Sequence, residues 1–208
     1  PAAEASLIAY LWPLLIVLLS GLLPGERLGA GHVIGAVMAF AGAAVLIADG
    51  LGRPGASALP GYALALLCAL TWSGYSILSR RMGSVPTAAV TVFCLMTAVL
   101  SVPAHLALED TAWPDGATGW AATLALGLGP VGLAFFTWAD GVKRGDIQLL
   151  GTASYAAPLL STLALVLAGS ATASMKLALA AAMIATGAAL AAYAGRRTTR
   201  PAGDVTPG

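Results

Sequence analysis

The sequence predicts an all-α polytopic membrane protein, and three observations carry that reading. The chain has 208 residues, of which 59% are hydrophobic and 9% charged, where an ordinary soluble domain carries roughly 25% charged residues. Seven apolar stretches approach the length of about 20 residues that a helix needs to cross a hydrocarbon core of about 30 Å. A weak internal repeat at a shift of 145 residues relates the first two stretches to the last two, and self-similarity of this kind marks transporter folds. The formal net charge of +1 leaves no basic surface for gripping nucleic acid. Cys68 and Cys94 lie inside apolar runs and show no zinc, redox or disulfide spacing.

In chain order the spans are expected at about 5–23, 31–48, 59–79, 86–107, 117–139, 147–168 and 175–194. The first holds Tyr10, Trp12 and Pro13. Pro13 has no N–H for the carbonyl of Ala9, so the helix bends there. Lipid cannot satisfy the freed carbonyl, which must face protein, water or a substrate donor such as an ammonium group. At 1.5 Å per residue Tyr10 lies within roughly 6 Å of the midplane. That is too deep for interfacial anchoring, so its hydroxyl should point to the interior or to a wet cavity. Residues two apart on a helix point about 200° apart, so Tyr10 and Trp12 share one cavity only if Pro13 distorts the turn. Tyr10 is the preferred ligand and Trp12 remains a candidate.

The second span, with Gly31, Gly35, Ala39 and Gly42, reads as a small-residue packing stripe. The third sets Trp72, Tyr75, Ser76 and Ser79 at i, i+3, i+4 and i+7, one face of aromatic and hydroxyl groups suited to a small amphipathic solute. Ordinary packing, with the hydroxyls bonded back to the helix, is the competing reading. Gly127, Gly129, Pro130 and Gly132 interrupt the fifth span. They form either a hinge, centred on Gly129 and Pro130, or a site of close helix packing. Trp138, near the end of that span, reads as an interfacial anchor. The sixth span repeats the arrangement of the first with Ser154, Tyr155 and Pro158. Pro158 frees the carbonyl of Ser154, and Tyr155 again lies within roughly 6 Å of the midplane. The seventh carries a stripe of Ala181, Ala185, Ala188 and Ala192, read as packing.

The connectors have turn punctuation, as at Pro24-Gly25-Glu26-Arg27, Arg53-Pro54-Gly55, Arg80-Arg81-Met82-Gly83 and Trp113-Pro114-Asp115-Gly116. If the spans alternate, one side of the membrane receives Arg27, Arg80, Arg81, Lys143, Arg144, Arg196, Arg197 and Arg200, and the other only Arg53 and Lys176. The asymmetry places the basic side and the C-terminus in the cytoplasm.

Under the repeat, Tyr10 falls on Tyr155, Pro13 on Pro158, Leu14-Leu15 on Leu159-Leu160, Gly42-Ala43-Ala44 on Gly187-Ala188-Ala189 and Gly50 on Gly195. Spans one and two thus correspond to six and seven, and spans three to five call for three counterparts upstream. The expected molecule has ten helices in two five-helix repeats, seven of the ten being visible. Because five is odd, the second repeat is inverted relative to the first, with the substrate site near the midplane between them. Residues 1–52 are then the last two helices of the first repeat, 53–195 the second repeat and 196–208 a basic cytoplasmic tail. The opening at Pro1 without an initiator Met agrees with helices upstream.

No Asp, Glu, Lys or Arg lies near a span centre, and His32 and His105 lie near span ends. A proton relay needs a buried ionisable group, so these spans argue against proton coupling. Neither a His-Glu-x-x-His pattern, nor a phosphate-cradling loop, nor a nucleophile beside a base is present, which argues against an enzyme. No metal or cofactor is expected.

Tyr10-Leu11-Trp12-Pro13, the Gly25-Glu26-Arg27-Leu28 turn, Trp72-Ser73-Gly74-Tyr75 and Ser154-Tyr155-Ala156-Ala157-Pro158-Leu159-Leu160-Ser161 resemble the EamA-type members of the drug/metabolite transporter superfamily. Within it, the Tyr-Leu-Trp-Pro and Ser-Tyr-x-x-Pro-x-Leu-Ser segments are similar to the YddG-type bacterial exporters of aromatic amino acids. The resemblance implies a ten-helix inner-membrane exporter with both termini in the cytoplasm and a central cavity between repeats. It implies aromatic and other hydrophobic or neutral amino acids as cargo. By motif position it points to Tyr10, Trp12, Trp72 and Tyr155 in the cavity, with Pro13 and Pro158 as bends. Together with the stripe and the freed carbonyl, the substrate candidates are Tyr10, Trp12, Trp72, Tyr75, Ser76, Ser154 and Tyr155. The expected mechanism is alternating access without proton coupling. A drug or metabolite exporter of the same fold and a passive pore are the alternatives. The lipid bilayer and a small-molecule substrate are the expected partners, and the oligomeric state is open, a monomer included.

Overall fold

A computed structural model describes residues 2–48, 58–169, 172 and 174–198. The described residues are helical with no strand. The expected boundary at 52/53, together with Asp49 and Arg53, lies outside them, as does the tail beyond 198 that contains Arg200. In chain order the helices are α1 (Ala2–Ala9), α2 (Trp12–Ser20), α3 (Ala30–Ile47), α4 (Leu59–Arg81), α5 (Ala89–Leu108), α6 (Gly116–Leu128), a π-helical segment (Gly129–Leu133), α7 (Ala134–Arg144), α8 (Ile147–Ala153), α9 (Ala156–Leu167) and α10 (Met175–Thr198). Taking α6 to α7 and α8 to α9 as continuous spans, six helices are long and apolar enough to cross a membrane, and Glu4–Ser20 adds a shorter apolar one. They match the expected spans to within a few residues. The first ends at Ser20 because a turn follows at Leu22 to Gly25, where Gly25 has φ +85°.

The chain forms two compact units, residues 1–78 with 146–208 and residues 79–145. In the first, α3 and α10 run antiparallel along a seam of small residues. A Cβ on Gly35 would lie 2.5 Å from the Gly187 carbonyl oxygen, and one on Gly187 would lie 2.5 Å from that of Gly35. A Cβ on Gly42 would meet the Ala180 carbonyl and Ile184 at 3.0 Å, and one on Gly31 would meet Ala194 at 2.8 Å. The α3 stripe therefore packs as expected, with backbone approaching backbone as small residues allow in lipid. Its partner face on α10, however, is Ala180, Ile184, Gly187 and Ala191, one residue out of register with the expected stripe of Ala181, Ala185, Ala188 and Ala192, of which Ala185 is exposed. Ala39, Ala43, Tyr155 and Ile184 are buried beside this seam, with Tyr10, Leu14, Phe40 and Leu159 packed around them. The N-terminus of α8 is capped by Asp146, whose Oδ1 accepts from the backbone N–H groups of Gln148 and Leu149 at 3.0 and 2.9 Å.

In the second unit the Arg80 guanidinium donates to the carbonyls of Val142, Lys143 and Gly145 at 3.1, 2.8 and 2.9 Å. It thereby places positive charge at the carbonyl end of α7, where the helix dipole favours it. Lys143 Nζ donates to the Val85 carbonyl at 2.8 Å. These bonds bring the connectors after α4 and α7 to one end of the unit, as alternation of spans expects. The interruption expected at Gly129 and Pro130 is the π-helical segment. Gly132 is required within it, since a Cβ there would lie 2.7 Å from the Gly127 carbonyl. The helices of this unit present apolar side chains outward, with Leu106 at 75% and Leu128 at 74% exposure, the surface that a helix facing hydrocarbon requires.

Candidate functional site

The aromatic residues of the first and third spans meet. The rings of Trp12 and Trp72 are 6.2 Å apart in an edge-to-face arrangement at 89°, and those of Trp72 and Tyr75 are 5.4 Å apart and tilted by 33°. All three are half-buried, so part of each ring stays accessible for stacking. Ser76, by contrast, is buried, and its hydroxyl donates to the Trp72 carbonyl at 2.9 Å, the back-bonded arrangement of ordinary packing.

Between α1 and α2 the helix is broken at Tyr10 and Leu11. In an unbroken helix the N–H of Leu14 would bond the Tyr10 carbonyl. Here the Tyr155 hydroxyl stands between them, accepting from Leu14 N–H at 3.1 Å and donating to the Tyr10 carbonyl at 3.0 Å. Tyr155 is fully buried and packs its ring against Phe40 at 5.8 Å. Pro13 thus opens the turn more widely than the loss of the Ala9 bond alone. The pair released one residue later is satisfied by protein, as a buried backbone requires.

Tyr10 takes a different place from Trp12. It is half-buried and lines an open groove of about 400 Å³ with Ser6, Pro158, Ser161 and Thr162. The two side chains face different surroundings, and it is Trp12 that joins Trp72. Ser154 departs from expectation. Its carbonyl accepts from Ala157 N–H at 3.1 Å and its hydroxyl donates to the Leu150 carbonyl at 2.8 Å. An i→i−3 bond tightens the turn and occupies the acceptor that Pro158 leaves open. Trp12, Trp72 and Tyr75 are therefore brought together, Tyr155 joins the two kinked helices, and Ser76, Ser154 and Tyr10 lie apart from the ring cluster.

The EamA-like transporter family matches residues 1–48 and 59–193. The chain belongs to this family. It is 55% identical over 199 residues to the aromatic amino acid exporter YddG of Ancylobacter novellus, a match that covers 95% of this chain and 69% of that protein. It is 27% identical to the aromatic amino acid exporter YddG of Salmonella typhimurium, over 77% of this chain and 57% of the relative. A solved crystal structure aligns with a TM-score of 0.90 and 53% identity, over 96% of this chain and 70% of that one. Family membership and the apolar helices make the chain a multi-pass membrane transporter.

Sequence reasoning missed Phe40 and Asp146. Phe40 stood out only as an aromatic residue inside a stripe of Ala and Gly. Asp146 stood out only as an acidic residue just before an apolar run, the position of an N-cap.

Proposed function

We propose that the chain is part of an alternating-access exporter of aromatic and other neutral amino acids, acting across the bacterial inner membrane without proton coupling and with its C-terminus in the cytoplasm. The Trp12, Trp72 and Tyr75 cluster carries this reading. It offers tilted and edge-on rings on which an aromatic side chain can stack in offset fashion, and ring faces over which an ammonium group is attracted by about 0.5–2 kcal/mol. In the ten-helix arrangement of two inverted five-helix units, Trp12 belongs to the first and Trp72 and Tyr75 to the second. The cluster would then lie where the units meet, and their relative motion would expose it to each side in turn. The relatives named as aromatic amino acid exporters support this cargo. The antiparallel packing of α3 and α10, which correspond under the 145-residue shift, supports the inverted arrangement.

The test is counterflow of labelled phenylalanine into proteoliposomes carrying the protein, with other amino acids and a cationic drug as competitors. Saturable exchange, blocked by amino acids and unaffected by an uncoupler, is the expected result. Drug flux without phenylalanine exchange would replace the cargo, non-saturable flux would indicate a pore, and collapse under the uncoupler would refute the absence of proton coupling.

A further inference from the structure

Tyr10 and Tyr155 are 145 residues apart, and the same shift exchanges the contacts of the α3 and α10 seam. The contact of Gly35 with Gly187 has as its image the contact of Ala180 with Gly42, and that of Gly187 with Ala39 has as its image that of Gly42 with Ile184. All four are present, with built Cβ distances of 2.5 to 3.0 Å. The local two-fold relation therefore holds at the seam.

It fails at the tyrosines. The image of the Tyr155 bonds is a Tyr10 hydroxyl that donates to the Tyr155 carbonyl and accepts from Leu159 N–H. Instead the Tyr10 side chain lies in the groove beside Pro158 and Ser161, next to the segment that contains its image site. The breaks themselves are of equal length, residues 10–11 between α1 and α2 and 154–155 between α8 and α9, the second lying one residue earlier in the register of the repeat. One kink holds a tyrosine hydroxyl between its released carbonyl and amide, and at the other the corresponding tyrosine lies in the groove instead. In an inverted-repeat carrier, such a difference between equivalent halves is what the two end states exchange.

We infer that Tyr10 and Tyr155 are reciprocal latches: Tyr155 inserted in the α1–α2 kink holds the state seen here, and Tyr10 inserted in the α8–α9 kink holds the opposite one. Both act as positioning residues rather than substrate ligands. The inference rests on the alternating-access reading. The exchange would draw α1 against α9 and close the groove around Ser161.

The experiment follows labelling of a Ser161→Cys reporter by a membrane-impermeant thiol reagent, with Cys68 and Cys94 replaced by Ala. Tyr155→Phe removes the wedge and retains the ring, and the labelling rate is expected to fall by about tenfold, the order of one to two net hydrogen bonds. Adding Tyr10→Phe disables the opposing latch and should restore the rate, a rescue that a merely structural loss would not give. Should Tyr155→Phe fail to yield monodisperse protein, Phe40→Ala, which strips the packing from the Tyr155 ring, is expected to lower labelling in the same direction. Unchanged labelling, or a fall that the second substitution does not reverse, overturns the latch. Phenylalanine counterflow on the unmodified protein separates the two ideas: its absence refutes the cargo alone, because labelling reads conformation directly.

Discussion

The α3 and α10 seam makes a quantitative prediction that is independent of any cargo. Gly35→Ala adds a Cβ that would lie 2.5 Å from the Gly187 carbonyl oxygen and 3.0 Å from the Ala191 backbone nitrogen. Both are backbone atoms, so no side-chain rotation relieves the overlap and the helices must part by several tenths of an ångström. Overpacking of this kind costs about 1–3 kcal/mol. It is offset by at most about 1 kcal/mol from the higher helix propensity of Ala. Gly61→Ala in α4 is the control, since nothing lies within 4 Å of its built Cβ and only the propensity gain remains. Melting followed by tryptophan fluorescence in detergent should show a lower Tm for Gly35→Ala and an unchanged or higher one for Gly61→Ala, with a shift of about 2–4 °C per kcal/mol. Gly187→Ala should match Gly35→Ala, because each Cβ opposes the other's carbonyl. One separation of the helices relieves both, so the double substitution should cost less than the sum. Equal melting of Gly35→Ala and Gly61→Ala, or strict additivity of the pair, would refute this account of the seam.

Three further outcomes are expected. Trp72→Ala should raise the KM for phenylalanine about tenfold, the order of one aromatic contact plus its buried area, with gel filtration unchanged, and Trp72→Phe should recover part of the loss; an unaltered KM would remove Trp72 from the site. Asp146→Ala should destabilise the protein by about 1 kcal/mol through loss of the α8 cap, and Asp146→Asn should retain most of the stability, both read as Tm. Arg80→Gln should lower Tm by more than Arg80→Lys, because the charge-assisted bonds to the α7 carbonyls are worth about 1.5–3 kcal/mol and Lys preserves the charge at the helix end.

The helices were legible because hydrocarbon imposes a simple rule on composition and length, and that rule does not depend on which neighbours a helix finds. The stripe of Gly35 and Gly42 was legible as a packing surface for the same reason, whereas the stripe of Ala181, Ala185, Ala188 and Ala192 misses by one residue the face of α10 that packs, Ala180, Ile184, Gly187 and Ala191. That α3 packs against α10 was not legible, because small residues permit close approach without specifying a partner. The π-helical segment was visible as the Gly129, Pro130 and Gly132 interruption, while its hydrogen-bond register depends on a backbone approach so close that a Cβ on Gly132 would lie 2.7 Å from the Gly127 carbonyl, which no periodicity encodes.

At the candidate site the sequence marked groups that need partners, and the fold supplies those partners. Pro13 announced a freed backbone acceptor, and depth in the membrane announced that the Tyr155 hydroxyl needed a partner. Each requirement admits protein, water or substrate as the partner. In the folded chain the hydroxyl meets the backbone pair one residue beyond the carbonyl that Pro13 frees, closing the gap between the Tyr10 carbonyl and Leu14 N–H. Two unsatisfied groups of complementary polarity at the same depth will find one another before they wait for a ligand, because each left alone in a low-dielectric interior costs about 1–3 kcal/mol. The ring faces of Trp12 and Trp72, unlike their indole N–H groups, carry no such requirement. Those faces are satisfied by apolar contact of any origin, which is why the proposed substrate contact falls on the aromatic cluster rather than on the kink.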